Sequence, residues 1–124
     1  MKIKVSEATG IVLDWMVAKC EGVEICEPVA GLDHRVEVKD PYTGTYSYDY
    51  YTPSKNWAQG GPIIEREKIG FEECFGTRTA EWYAPKNSNR DGISMLGKSP
   101  LEAAMRCYVA SKLGDEVEVP DEIV

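Results

Sequence analysis

Residues 99–114 read Ser99-Pro100-Leu101-Glu102-Ala103-Ala104-Met105-Arg106-Cys107-Tyr108-Val109-Ala110-Ser111-Lys112-Leu113-Gly114. A serine followed three places later by a glutamate is a capping-box pattern, and the proline between them takes the first helical position, where a missing N–H is harmless. Leu101, Ala104, Met105, Tyr108 and Val109 recur with the helical period and form one apolar stripe. Glu102 and Arg106 stand one turn apart and can pair, and Gly114 supplies the stop. This is the clearest local signal in the chain, and it demands a partner layer to cover its apolar face.

Working outward, Glu116 to Val119 alternates polar and apolar before Pro120, the period of a strand, and Lys2-Ile3-Lys4-Val5 does the same at the other end. The two carry opposite charges on their polar faces and are expected to lie side by side, each cross-strand pair contributing about 0.2–1 kcal/mol and less when exposed. Ser6 then reads as a helix N-cap with Glu7 beside the positive end of the helix dipole, and the helix runs to about Glu21 before Gly22 stops it. Ala8, Ile11, Val12, Trp15 and Met16 form its apolar stripe, Glu7, Asp14 and Glu21 the opposite face, and Lys19 lays its stem over the core edge.

From Val23 to Tyr51 the period changes to two, with Val23 and Ile25, Val36 and Val38, then Tyr46, Tyr48 and Tyr50 alternating with polar neighbours. Pro28, Gly31, Asp33, Asp40, Pro41 and Gly44 punctuate these strands with turns too short for crossover helices. Phe71–Phe75 and Thr77–Ala84 add strand-like material, and Lys86–Gly92 is polar and turn-rich. The expectation is one α+β domain over residues 1–124: a mainly antiparallel sheet of about five strands with two amphipathic helices packed on one face.

A formal charge of −7, from 14 basic and 21 acidic residues, disfavours direct nucleic-acid binding, because phosphate backbones attract basic surfaces. It suits an acidic surface instead, with Asp115, Glu116, Glu118, Asp121 and Glu122 as a candidate nucleic-acid mimic toward a basic protein. Cys20, Cys26, Cys74 and Cys107 form no Cys-x-x-Cys pair and have one histidine, His34, to help them, so no metal site is expected and free thiols are. No apolar run is long enough to span a bilayer, and the opening Met-Lys-Ile-Lys-Val-Ser lacks the apolar stretch of a signal peptide, which points to the cytoplasm.

The stretch with most recognition chemistry is Trp57-Ala58-Gln59-Gly60-Gly61-Pro62-Ile63-Ile64-Glu65-Arg66-Glu67. It reads as a loop turning at Gly60-Gly61-Pro62 and re-entering the core as a strand through Ile63 and Ile64. Trp57 offers a stacking surface, Gln59 an amide that reads donors and acceptors, and Gly60 and Gly61 close backbone approach; with Glu65 they make a better binding site than active site. Strand alternation would put Glu65 and Glu67 on one face and Arg66 on the other, with His34 or Asp49 as conjectural partners; no nucleophile with an adjacent base is visible, so no catalytic residue is assigned. Gly92-Ile-Ser-Met-Leu-Gly97-Lys98-Ser99 matches the P-loop expression, yet no buried strand precedes it, its variable positions are bulky and no second acidic strand follows. Lys98-Ser99 is better read as the approach to a helix cap.

Trp57-Ala-Gln-Gly-Gly-Pro-Ile-Ile-Glu-Arg-Glu67 and Ala103-Ala-Met-Arg-Cys-Tyr-Val-Ala-Ser-Lys-Leu-Gly-Asp-Glu-Val-Glu-Val-Pro120, with Met1-Lys-Ile-Lys-Val-Ser and Leu13-Asp-Trp-Met-Val-Ala-Lys, resemble the NinX-like family of small phage proteins. The resemblance implies a phage or prophage accessory protein in the host cytoplasm; it carries over no activity, cofactor or catalytic residue. The leading expectation is a non-enzymatic protein that binds a small polar ligand or a host protein through Trp57–Glu65, with homo-oligomerisation compatible. An acidic inhibitor or nucleic-acid mimic is the alternative, and an NTPase or hydrolase stands third.

Overall fold

The computed structural model describes residues 1–23, 25, 51–74, 81–86 and 92–124. Strand β1 (Lys2–Lys4) leads through a 3-10 turn (Val5–Glu7) into helix α1 (Gly10–Glu21); helix α2 (Trp57–Glu67) and strands β2 (Glu72–Glu73), β3 (Trp82–Lys86) and β4 (Ile93–Gly97) follow. Helix α3 (Pro100–Leu113), strand β5 (Glu116–Glu118) and a last 3-10 turn (Asp121–Ile123) complete the order.

Helix α3 is the centre. Its start is the one its sequence specifies: the Glu102 N–H donates to Ser99 Oγ over 3.1 Å, and Pro100 opens the first turn. Leu101, Ala103, Ala104, Met105, Cys107, Tyr108, Val109 and Ala110 are all buried. That is more than one stripe, because α3 meets β3 and β4 on one side and α1 and α2 on others. Small residues let the layers close up: a Cβ placed on Gly97 would lie 2.5 Å from the Ala103 backbone nitrogen. Arg106, ion-paired with Glu102 at 2.6 Å, donates its remaining N–H groups to Ala8 O and Leu96 O, tying α3 to the approach of α1 and to β4.

The fold is α+β with antiparallel strands. β1 pairs with β5 in the register Lys2↔Glu118, Ile3↔Val117, Lys4↔Glu116, which is the charge-complementary pairing of the two chain ends that the sequence predicts. The other sheet has the order β2-β3-β4. Thus the strands among the described residues form two small sheets instead of one, and there are three α-helices among those residues where the sequence reading counts two. The alternating stretches at Val36–Val38 and Tyr46–Tyr50, and His34, Asp49, Cys26 and Phe75, lie outside the described residues.

Two corrections concern α1. Ser6 sits in the 3-10 turn and the helix begins at Gly10, because Ala8 and Thr9 are both extended and separate the two segments, and Gly10 enters the helix at φ 56. Asp14, read as part of the solvated face, is buried at 3% exposure. The cause is tertiary: the turn that launches α2 covers it.

The larger correction is that Trp57–Glu67 is a helix, not a loop leading into a strand. Asn56 caps it, its Oδ1 accepting the Ala58 N–H at 2.9 Å, and Ile63 is buried on the inner face with Gly60. Neither Gly60 nor Gly61 has the positive φ of a turn. Gly60 is instead a packing device: a Cβ there would lie 2.5 Å from Pro53 O and 2.6 Å from Leu101 Cδ2. Gly61 meets only Trp57 Cε3, at an ordinary 4.0 Å.

The two adjacent glycines therefore respond oppositely to the same change. Gly60→Ala forces backbone apart and is expected to destabilise the fold by about 1–3 kcal/mol, whereas Gly61→Ala gains helix propensity and is neutral or stabilising by up to about 1 kcal/mol. Urea unfolding of the two variants beside the parent measures both, and equal midpoints for the two variants would contradict the close approach at Gly60.

Candidate binding surface

What the α2 surface presents depends first on how α2 is held. Thr52 O accepts the N–H groups of Lys55 and Asn56, forming the turn that carries the chain into the helix. Asp14 grips that turn from below: its Oδ1 accepts the Ser54 N–H at 2.9 Å, and Ser54 is itself buried at 5% exposure. Gln59 folds back so that its Oε1 accepts the Thr52 N–H at 2.7 Å. The Gly60 N–H donates to Asn56 O, and the residue seats against Pro53.

The far end is held by charge. Arg66 forks onto Glu21 at 3.1 and 2.8 Å, the Tyr108 hydroxyl donates to the same carboxylate at 2.9 Å, and the guanidinium lies 5.7 Å from the Tyr108 ring centroid. Beside it Glu67 faces three cations, Lys112 at 3.3 Å and Lys86 and Arg66 each at 3.6 Å. Burial opposes ionisation of Glu67, but these cations outweigh it and hold the carboxyl below its ordinary range. The predicted strand alternation of Glu65, Arg66 and Glu67 is overturned here: on the helix Arg66 and Glu67 belong to this inner network and Glu65 faces solvent. Nearby, burial pushes the Cys20 thiol up to about 12, and it likewise raises Cys107 to about 11, so both stay protonated and unreactive at neutral pH.

Of the five residues picked from the sequence, the helix brings Trp57, Gly61 and Glu65 onto one stripe at successive turns and turns Gln59 and Gly60 toward the Thr52–Pro53 turn. Trp57 is 51% exposed, so its indole does not anchor the segment to the core. It lies over Gly61, which has no side chain to block it, and meets Phe71 edge-on, with centroids 5.9 Å apart and planes at 62°. Phe71, itself 42% exposed, meets Trp82 in the same manner at 6.1 Å and 67°. From the sequence Phe71 and Trp82 read only as strand material, because nothing local links them to Trp57; the register Glu73↔Trp82 brings them there. Glu73, the cross-strand partner of Trp82, is exposed, and so is Glu65, about two turns along α2 from Trp57.

The P-loop lookalike takes a different form. Ile93–Gly97 is the strand β4, paired along its length with β3, and Ser99 is committed to the α3 cap. An open cleft of about 580 Å³, lined by Lys4, Ser6, Met95, Asp115 and Glu116, contains none of the five residues. Among the described residues no cluster of three or more His, Cys, Asp or Glu side chains is placed to hold a metal ion, and no helix is long and apolar enough to cross a membrane.

Residues 4–112 match the family model described as bacteriophage P22 NinX. No curated protein matches the sequence. With most of its length covered, the chain belongs to the NinX family of phage proteins.

Asp14 makes the hold on α2 sensitive to pH. Burial raises its carboxyl from 3.8 to about 6, against the opposing pull of the Ser54 hydrogen bonds and of Lys55. The folded state thus keeps this proton more tightly than the unfolded chain does. Its contribution to stability is full below the unfolded value and falls away as pH rises through about 6. At neutral pH the ionised carboxylate costs on the order of 3 kcal/mol relative to acid. Asp14→Asn keeps an acceptor for the Ser54 N–H without the charge, so its stability relative to the parent should rise by roughly that amount between pH 4 and pH 7 in urea titrations. A pH-independent difference between the two proteins would refute the assignment.

Proposed function

We propose that this NinX-family chain is a non-enzymatic binding protein whose partner seats on the α2 surface at Trp57, with Phe71 and Trp82 completing the contact. The observation that carries this reading is the exposure of two large rings, Trp57 at 51% and Phe71 at 42%, in an edge-to-face chain that starts on a helix tied down at both ends. Exposed tryptophan on a rigid element is the residue type that most often dominates the energy of protein interfaces.

Between the two partner classes raised by the sequence, the geometry favours a host protein over a small polar ligand. A small-molecule site encloses most of its ligand within concave walls and offers convergent polar groups. Here the Gln59 oxygen accepts from Thr52 and the Gly60 N–H donates to Asn56, so the groups that would read a small ligand serve the fold. The acidic-mimic reading receives less support, because Glu116 and Glu118 lie opposite Lys4 and Lys2 and the N-terminal ammonium pairs with Glu118 and Asp121 at 2.7 and 3.1 Å.

The test uses tagged parent protein and a Trp57→Ala/Phe71→Ala variant, both checked for folding by circular dichroism, to capture partners from phage-infected host cells, with native mass spectrometry of each eluate. A stoichiometric protein partner is expected with the parent, and its affinity should drop by one to two orders of magnitude in the variant. Equal capture by both would remove the surface from the reading, and a bound small molecule in place of a protein would restore the ligand class.

A further inference from the structure

The chemistry around the three rings selects among protein partners, and this step rests on the reading that they form the binding surface. We propose that the Trp57-Phe71-Trp82 surface receives a cationic side chain, arginine above all, from a basic partner protein. Edge-to-face contacts at 62° and 67° set consecutive rings at steep angles, so the array turns ring faces in more than one direction. The face of an indole is the negative end of its quadrupole and attracts a cation held within about 6 Å.

Carboxylates stand on the same elements as the rings. Glu73 is the cross-strand partner of Trp82 and shares its face of the sheet, and Glu65 continues the Trp57 stripe of α2; both are exposed, while Glu72, opposite Tyr83, belongs to the other face. Against them the stretch between Trp57 and Glu73 exposes Lys68, while Arg66 is held on Glu21. Aromatic faces would also stack nucleobases, but these carboxylates and the net charge of −7 repel phosphates. A purely apolar partner would leave those carboxylates desolvated and unpaired at the contact. Arginine is favoured over lysine because a planar guanidinium stacks on an indole while forking onto a carboxylate. The molecule already uses this combination internally, where Arg66 lies over the Tyr108 ring and forks onto Glu21.

A hexa-arginine peptide and the same peptide built of citrulline, its neutral isostere, provide the probe, read through the indole Nε1–H resonances of Trp15, Trp57 and Trp82. The arginine peptide should shift Trp57 and Trp82 and leave Trp15, 9% exposed on α1, in place. Citrulline should have little effect, and Glu73→Gln should weaken the arginine response roughly tenfold. Trp57→Ala, which leaves the net charge unchanged, should weaken it at least as much at Trp82; an undiminished response would mean diffuse attraction to an acidic protein and would overturn the proposal. So would equal binding of the citrulline peptide. A host protein captured through Trp57 and Phe71, together with silence toward arginine, would keep the surface and reject its cation preference.

Discussion

The first turn of α3 is wedged between two glycines, and the arrangement of the other elements follows from that fit. On one side Gly97 of β4 brings strand backbone against Ala103; on the other Gly60 of α2 rests against Leu101 and the Pro53 carbonyl. Neither glycine is needed for its φ. Each is needed for its missing Cβ, since any side chain there would meet backbone atoms, which cannot rotate away. Sheet and helix are thereby both pressed onto one turn of α3, and the turn carries the strongest helix-start signal in the chain. Local propensity and tertiary contact agree at the point where agreement matters most.

Polar groups inside this frame work as fasteners for α2. Asp14 takes hold of the turn before it and Glu21 of Arg66 near its end, so α1 contributes two carboxylates about two turns apart to one neighbour. The two differ in cost. Glu21 has a fork of guanidinium hydrogen bonds and a phenol to offset its desolvation, while Asp14 has the Ser54 amide and a more distant Lys55. A surface built on α2 is consequently held rigidly at one end and more conditionally at the other.

Much of this architecture is legible in the sequence where signals are local. The Ser99 cap, the Glu102–Arg106 pair and the Gly22 and Gly114 stops need no knowledge of the rest of the chain, and the opposed charges of Lys2/Lys4 and Glu116/Glu118 suffice to propose their pairing. The failures are tertiary. Gly-Gly-Pro carries a turn signature, and only its neighbours, Pro53 and Leu101, make a helix the better solution. Asp14 looks solvated by period because the period knows nothing of the Ser54 turn. Trp57 stands out in the sequence for its indole, but Phe71 and Trp82 join it through strand register, which a linear reading does not reveal.

The pairing of β1 with β5 also shapes how the chain is made. Its partners are separated by nearly the whole length of the described chain, so forming it closes a loop larger than any helix contact requires. During synthesis β1 leaves the ribosome first and β5 after α3, and β1 passes that interval without its partner strand. An unpaired strand edge is a template for unwanted association, and lysines are the residues that best blunt it. Lys2 and Lys4, which find Glu118 and Glu116 in the finished fold, serve the nascent chain as guards before they serve the folded one as partners.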